Sequence, residues 1–551
     1  MPWTMLVARM LALVAALSVL LAACGGSAPA ASPTPNSAPA GGLPITAPAT
    51  ADTKETLLFS ADLSDQISFD PAVAYEFGGI QVVGSVYQTL VTLTPGDPTI
   101  KPLLANSWNI KEAANGWTLI FKLDKQATFA SGNPVTADDV AYSWRRVLDL
   151  NKSPAFLLSN VAGLKQDSFT AVDPQTFQVQ LAKSTSPQVF LAVISFSVAA
   201  VVEKAIVEKH ADSDFGSTWL NDHSAGSGPY VLSSWQRSTQ TVLDVNANFW
   251  GRHPAIKRVI MRNITELANL QSAIETGEAD IVQSLGAEQV KALEGNPDVQ
   301  IIKAVSTALI YVGMNATSPP LNSVEVRQAM RYAINYDDVN TLLGGNGKIT
   351  QEIIPAGLFG HTGQNPFTQD IAKAKDLLAK AHVEEGTEIE FLIPTGTAPG
   401  GIDWSTLAAK IQADVAKIGL KLTIKRVQQS ELLNIYRAQK SQMVLAIWGP
   451  DFPDPDGNVT PFTNYDAKSI AWRNAWEHKQ IGMLGQQAAV EQNTTRRAEL
   501  YKQLTERVLN EGPYVMLYQP TLSYGVRKNI SGFMYDSAST PNIWFWTITK
   551  N

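Results

Sequence analysis

Leu420-Lys421-Leu422-Thr423-Ile424-Lys425 alternates apolar and polar side chains, the period of a strand covered on one face. Just upstream, Leu407, Ile411, Val415 and Ile418 recur at helical spacing, and Gly419 suits the left-handed position that ends a helix. A helix over 404–418 therefore feeds this strand. Downstream, residues 430–439 read as a second helix and Met443-Val444-Leu445-Ala446-Ile447 as a buried strand. Gly449-Pro450 stops that strand, because proline brings no N–H to a ladder. The order helix, strand, helix, strand predicts parallel pairing and an α/β fold. Such sheets take ligands at the carboxyl ends of their strands. Trp448-Gly449-Pro450-Asp451-Phe452-Pro453-Asp454-Pro455-Asp456-Gly457 lies at such an end. Three prolines stiffen the loop, and three aspartates could offer a carboxylate to a cationic group. The same composition also describes an ordinary solvated turn.

The chain around this unit has 551 residues and is 45% hydrophobic, enough for two or three cores. A net charge of −7 gives no basic footprint and argues against nucleic acid as partner. No long apolar run recurs after the N-terminus, which excludes a polytopic membrane protein.

At the N-terminus, Arg9 precedes an apolar core over 10–21, too short to span comfortably, which predicts a cleaved secretory signal over 1–23. Leu21-Ala22-Ala23-Cys24-Gly25 resembles the bacterial lipoprotein box, which implies lipid attachment at Cys24 and a membrane anchor. Cys24 is the only cysteine, so no disulfide can form within the monomer, and an acylated Cys24 leaves no thiol for catalysis or metal. Residues 24–54 are mostly Ala, Pro, Ser, Thr and Gly, cannot bury enough surface to offset ordering, and read as a tether.

In the mature chain, Thr56-Leu57-Leu58-Phe59-Ser60 reads as the first strand and Phe69-Asp70-Pro71-Ala72 as a turn. A helix starting near Gly79 places Val82, Val83, Val86 and Leu90 on one face. Residues 117–123 and 241–245 read as strands. Thr136 with Asp139 three residues later is a carboxylate capping box for a helix carrying Val140, Trp144 and Val147. Further helices are expected over 323–335 and 370–381, their apolar stripes assigned to core.

No catalytic constellation emerges. The histidines, His210, His223, His253, His361, His382 and His478, are scattered without the spacing of a helical zinc pair. Gly344-Gly345-Asn346-Gly347-Lys348-Ile349 fails as a phosphate loop, since Leu342 replaces the first glycine and Ile349 the hydroxyl residue. Gly226-Ser227-Gly228 is not a nucleophile elbow, and Phe452 spoils a calcium loop. No metal or cofactor is expected, and an enzyme, such as a secreted hydrolase, is the least favoured reading.

Asp70-Pro71-Ala72, Lys101-Pro102-Leu103-Leu104-Ala105, Phe129-Ala130-Ser131-Gly132-Asn133-Pro134-Val135-Thr136-Ala137-Asp138-Asp139, Gly226-Ser227-Gly228-Pro229-Tyr230, Asn246-Ala247-Asn248-Phe249-Trp250, Val326-Arg327-Gln328-Ala329-Met330-Arg331-Tyr332 and Trp448 to Asp456 occur in this order. Together they resemble the extracytoplasmic substrate-binding proteins of peptide ABC importers, the oligopeptide- and dipeptide-binding family. The resemblance runs from about residue 55 to 551. It implies a two-lobe, type II periplasmic-binding-protein (Venus-flytrap) α/β fold with an inserted subdomain in the first lobe. The implied boundaries are lobe I over 55–97 and 216–309, the insertion over 98–215, lobe II over 310–515, and a return to lobe I over 516–551, where Ile543-Trp544-Phe545-Trp546 reads as strand. The resemblance also implies a monomer that captures oligopeptides and delivers them to the transmembrane subunits of an ABC permease. Other members of the family bind sugars, opines or nickel chelates.

The resemblance assigns Asp451 to the ligand's α-ammonium group and Trp448 and Gly449 to the ligand wall. It brings Tyr75, Glu76 and Phe77 from the first lobe and Phe156 from the insertion. Dipeptide-selective members carry an arginine after the strand that here is Ile389-Glu390-Phe391-Leu392-Ile393-Pro394. This chain has Thr395-Gly396-Thr397-Ala398-Pro399-Gly400-Gly401, without a cation, which implies a preference for longer peptides. Asp454 and Asp456 are left as turn-forming residues.

Overall fold

The strand read at 420–425 forms as Lys421–Val427 and pairs in parallel with Glu388–Pro394, which in turn pairs in parallel with Met443–Trp448. The structure is a computed structural model, and it describes residues 53–94, 97–491, 493–537 and 541–551. The signal segment, Cys24 and the tether as far as residue 52 lie outside the described residues. No described helix is long and apolar enough to cross a membrane.

A curled sheet of twelve strands organises the molecule in two halves. In the first half, Thr56–Ala61 is central, parallel to both Arg258–Asn263 and Ile281–Val282. Antiparallel Gln240–Val245 and Tyr230–Gln236 complete one side. In the second half, Met443–Trp448 also pairs antiparallel with Leu309–Met314.

One long strand, Tyr514–Arg527, belongs to both halves. Its early residues pair with Leu309–Met314 and its later ones with Val299–Val305. The transfer falls at Pro520, which has no N–H to give either ladder. There the second crossing of the chain, between Val305 and Leu309, lies alongside: Ser306 N donates to Pro520 O at 3.2 Å, and Gln519 Nε2 donates to Ser306 O at 2.8 Å. Among the described residues these two adjacent segments are the covalent link between the halves, an arrangement suited to hinge motion.

A separate antiparallel sheet in the order Ala105–Ala113, Gly116–Leu123, Thr176–Ala182, Phe169–Asp173 is inserted into the first half. The helix Ala137–Leu150 covers it. Its capping box forms as read: the Thr136 hydroxyl accepts from Asp139 N, and the Asp139 carboxylate accepts from Thr136 N at 2.9 Å. Trp144, fully buried, meets Phe169, Phe177 and Phe190 edge-on.

Helices start where cap residues stand. Ser323 caps Val324–Ala333, Asp370 caps Ile371–Lys380, and Asp403 caps Trp404–Ala416. Two expectations are corrected. The first helix is Phe77–Val86, so Leu90 lies beyond it, although fully buried. Gly226 and Gly228 pack against that helix end; Gly228 N donates to Val86 O, and a Cβ on Gly226 would stand 2.0 Å from the same oxygen. Residues 543–546 are not a strand but enter a 3-10 turn, Phe545–Thr547. Phe545 is buried edge-on against Phe59 at 5.5 Å, while Trp544 and Trp546 stack on each other.

Candidate functional site

A cavity of about 240 Å³ lies between the halves, floored by the crossing segments at Ser306 to Ala308 and at Leu522 and Tyr524. The second half supplies the end of strand Met443–Trp448 and the loop after it. The first half supplies residues 61–65 and the start of helix Phe77–Val86.

Asp451 stands where the sequence placed it, just past the strand's carboxyl end, and is 9% exposed. Its Oδ2 accepts a hydrogen bond from the Tyr75 hydroxyl of the opposite half at 2.6 Å. Burial pushes the Asp451 carboxyl up to about 8; donation from Tyr75 and the positive charge of Arg473 draw it down but do not win. A second link joins the halves beside it, where Arg437 Nη2 meets Glu76 Oε1 at 2.5 Å. Both partners are largely removed from solvent, so this ion pair is screened less than a surface pair.

Trp448 is fixed by its indole N–H, which donates to Gly457 O at 3.2 Å, and its ring meets Tyr75 edge-on at 5.9 Å. Gly449 allows a close approach from the first half: a Cβ there would lie 3.0 Å from Phe77 Cζ. Tyr75, Glu76, Phe77, Trp448, Gly449 and Asp451 therefore line one cavity. Phe156 stands behind that wall, 5% exposed, with its ring edge-on to Tyr75 at 6.0 Å. It positions Tyr75 through packing.

Asp454 and Asp456 face away from the cavity. Arg497 Nη2 donates to both Asp454 oxygens at 2.8 Å. Asp456 is 2% exposed, accepts from the Thr460 hydroxyl at 2.8 Å, and is pushed up to about 7 by burial and the neighbouring Asp454 charge. These two acids hold the loop rather than a ligand.

Four cavity residues carried no mark in the sequence. Asp62 and Asp65 line the first-half wall, and burial raises both carboxyls, Asp65 to about 7. Arg437 closes helix Gln429–Arg437, and Arg473 ends the short helix Ile470–Arg473. No motif surrounds these arginines; only the folded chain brings Arg437 to a partner 361 residues away. Thr395, Thr397 and Pro399 line the wall where dipeptide-selective proteins are expected to carry a cation. Among the described residues no group of His, Cys, Asp and Glu is arranged to hold a metal ion.

Two lobes joined by adjacent crossings, with a recognition cavity between them, define a type II periplasmic binding protein, the fold shared by the solved structures that this chain matches. The model for bacterial extracellular solute-binding proteins, family 5 (middle), matches residues 99–469, and the chain belongs to that family. It is a solute-binding protein that works outside the cytoplasm, and not an enzyme. The chain is 29% identical over 489 residues to a probable D,D-dipeptide-binding periplasmic protein of Escherichia coli (strain K12), covering 87% of this chain and 92% of the relative. Similar solved structures include an ABC transporter-associated periplasmic binding protein from Helicobacter pylori in complex with the peptide STSA. It has a TM-score of 0.81 and 24% identity over 90% of this chain and 98% of that one. A binding protein of Agrobacterium tumefaciens in complex with mannopinic acid gives a TM-score of 0.80 and 21% identity, over 90% of this chain and 100% of that one.

Proposed function

We propose that this protein captures peptides between its two halves and hands them to the transmembrane subunits of an ABC permease. The observation that carries the reading is Asp451, a buried carboxyl group on the cavity wall, addressed by Tyr75 from the other half and ionised when a cation arrives. A peptide α-ammonium group is its natural counter-ion, and a charge-assisted hydrogen bond of this kind contributes about 1.5–3 kcal/mol net. The peptide-named relatives support the same reading. In this account lobe I comprises 55–97, 216–309 and 516–551, the insertion 98–215 and lobe II 310–515; Asp451, Trp448, Gly449, Tyr75, Glu76 and Phe77 contact the ligand, with Phe156 behind them, in a monomer. Mass spectrometry of ligand released from protein purified without denaturant tests the ligand class. Peptides are expected; an opine, a sugar or a metal chelate in their place would overturn the assignment.

The reading includes a lipid anchor at Cys24. Each buried methylene contributes about 0.8 kcal/mol, so two or more acyl chains hold a protein firmly where one does not. Cys24→Ala is expected to move the protein from the membrane pellet to the soluble fraction on cell fractionation. Retention in the pellet sinks the anchor.

A further inference from the structure

Of the two guanidinium groups that line the cavity, Arg437 is paired with Glu76, but Arg473 forms no ion pair among the described residues. Arg473 is 5% exposed, and its buried Nε has no hydrogen-bond partner. The group is held by flat aromatic faces: its Cζ lies 6.0 Å from the Trp448 ring centre and 5.8 Å from that of Tyr436. The hydroxyls beside it, Tyr311 and Tyr436, bond each other at 3.2 Å. Burial raises both phenols above their ordinary value, Tyr311 well above it, so they supply no negative charge.

A buried cation without a partner is costly, and cores retain one where a ligand or a structural anion completes it. The planar fork of an arginine matches a carboxylate with two parallel hydrogen bonds. Asp451, an acid in want of a cation, lines the same cavity and feels the Arg473 charge.

We propose that Arg473 receives a carboxylate of the ligand, so that the cavity takes a zwitterion whose ammonium group faces Asp451. The assignment rests on the peptide reading above and deepens it. It places the cation on the helix Ile470–Arg473, not on the stretch 395–401, where the wall offers only Thr395, Thr397 and Pro399. The missing arginine after Pro394 therefore does not exclude short peptides with free C-termini.

The test is isothermal titration of the wild-type protein with short peptides of graded length, each as free acid and as C-terminal amide. An arm with Ala-Glu amide, whose only carboxylate is a side chain, distinguishes the two sources of the anion. Losing one partner of a desolvated charge pair predicts that amidation weakens binding by about 30-fold or more. Arg473→Gln is expected to weaken the free acid by a similar factor and to level free acid and amide, while Arg473→Lys recovers part of the discrimination. Tight binding of Ala-Glu amide supports the assignment with a side chain as the source. Equal affinity of the wild type for free acids and for all amides, with binding otherwise intact, overturns the Arg473 assignment alone. Failure of every peptide to bind overturns the peptide reading, and this proposal with it. The wild-type comparison needs no variant to fold.

Discussion

Asp451→Asn is expected to weaken peptide binding by about 30-fold to several thousand-fold, the range for removing one partner of a desolvated charge pair. The melting temperature should stay level or rise. Asparagine has the same shape, and its oxygen can still accept from Tyr75, which now meets Asp451 at 2.6 Å. The carboxyl it replaces is raised to about 8 by burial, so a neutral amide relieves a penalty. The sign follows from the direction of the shift. A raised acid favours the folded cavity while it holds its proton, and that contribution is lost as pH climbs from about 4, its unfolded value, through about 8. Any gain in melting temperature from the substitution therefore grows across that window and levels off above it.

The same carboxyl sets the pH dependence of binding. An ammonium group requires the ionised form, whereas the buried acid holds its proton up to about 8, so binding releases a proton and wild-type affinity rises with pH below that value. Tyr75, Arg473, Glu76 and Arg437 surround the group, and Asp62 and Asp65, also raised, remain in the variant. Titration in buffers of different ionisation enthalpy isolates the Asp451 contribution as the difference between wild type and variant. An affinity unchanged by the substitution would remove Asp451 from the site.

Asp70→Ala is expected to cost about 3–5 kcal/mol of stability, because it leaves a guanidinium buried without its counter-ion. Arg146 reaches both Asp70 oxygens, at 2.6 and 2.5 Å, with side chains 2% and 0% exposed. The Ser217 hydroxyl donates to the same carboxylate at 2.7 Å, and Arg146 Nε donates to Phe215 O at 2.7 Å. One acid thus ties the turn after the first strand to the inserted helix and to the segment where the chain returns. Urea unfolding checks the figure. Asp70→Ala combined with Arg146→Met should lose less than Asp70→Ala alone, since no orphaned charge remains. A single variant within about 1 kcal/mol of wild type would place the structural weight elsewhere.

Local rules read well wherever local forces decide. The box at Thr136 and Asp139, the helices expected from 323 and 370, which Ser323 and Asp370 cap, and the alternation at 421–425 all stand in the fold because side chain and backbone answer each other within a few residues. Leu90 continues the stripe of Val82, Val83 and Val86, yet the helix stops because Gly226 and Gly228 arrive from far along the chain to occupy its end. The aromatic run at 543–546 has the composition of a strand, but a single large ring, Phe545, fills the core beside Phe59, and a turn delivers it. The site divides in the same way. The loop that carries Asp451 was legible as a pocket edge from its place after a strand, and the family resemblance singled out Asp451 within it. Arg473, Arg437, Asp62 and Asp65 were not, since each gains its meaning from a surface contributed by the opposite end of the sequence.

The strand shared by both halves also constrains the order in which the molecule can be built. Leu522, Tyr524 and Val526 from its later part, with Phe545 and Ile548, share a core with Leu57 and Phe59 near the start. A chain synthesised and exported from its N-terminus must therefore carry an unfinished first half until its final few dozen residues emerge. Severing it between residues 306 and 308 would leave the core of Ile310 to Tyr518 whole in the second fragment but divide the first-half core, so the first fragment would need the second to complete it.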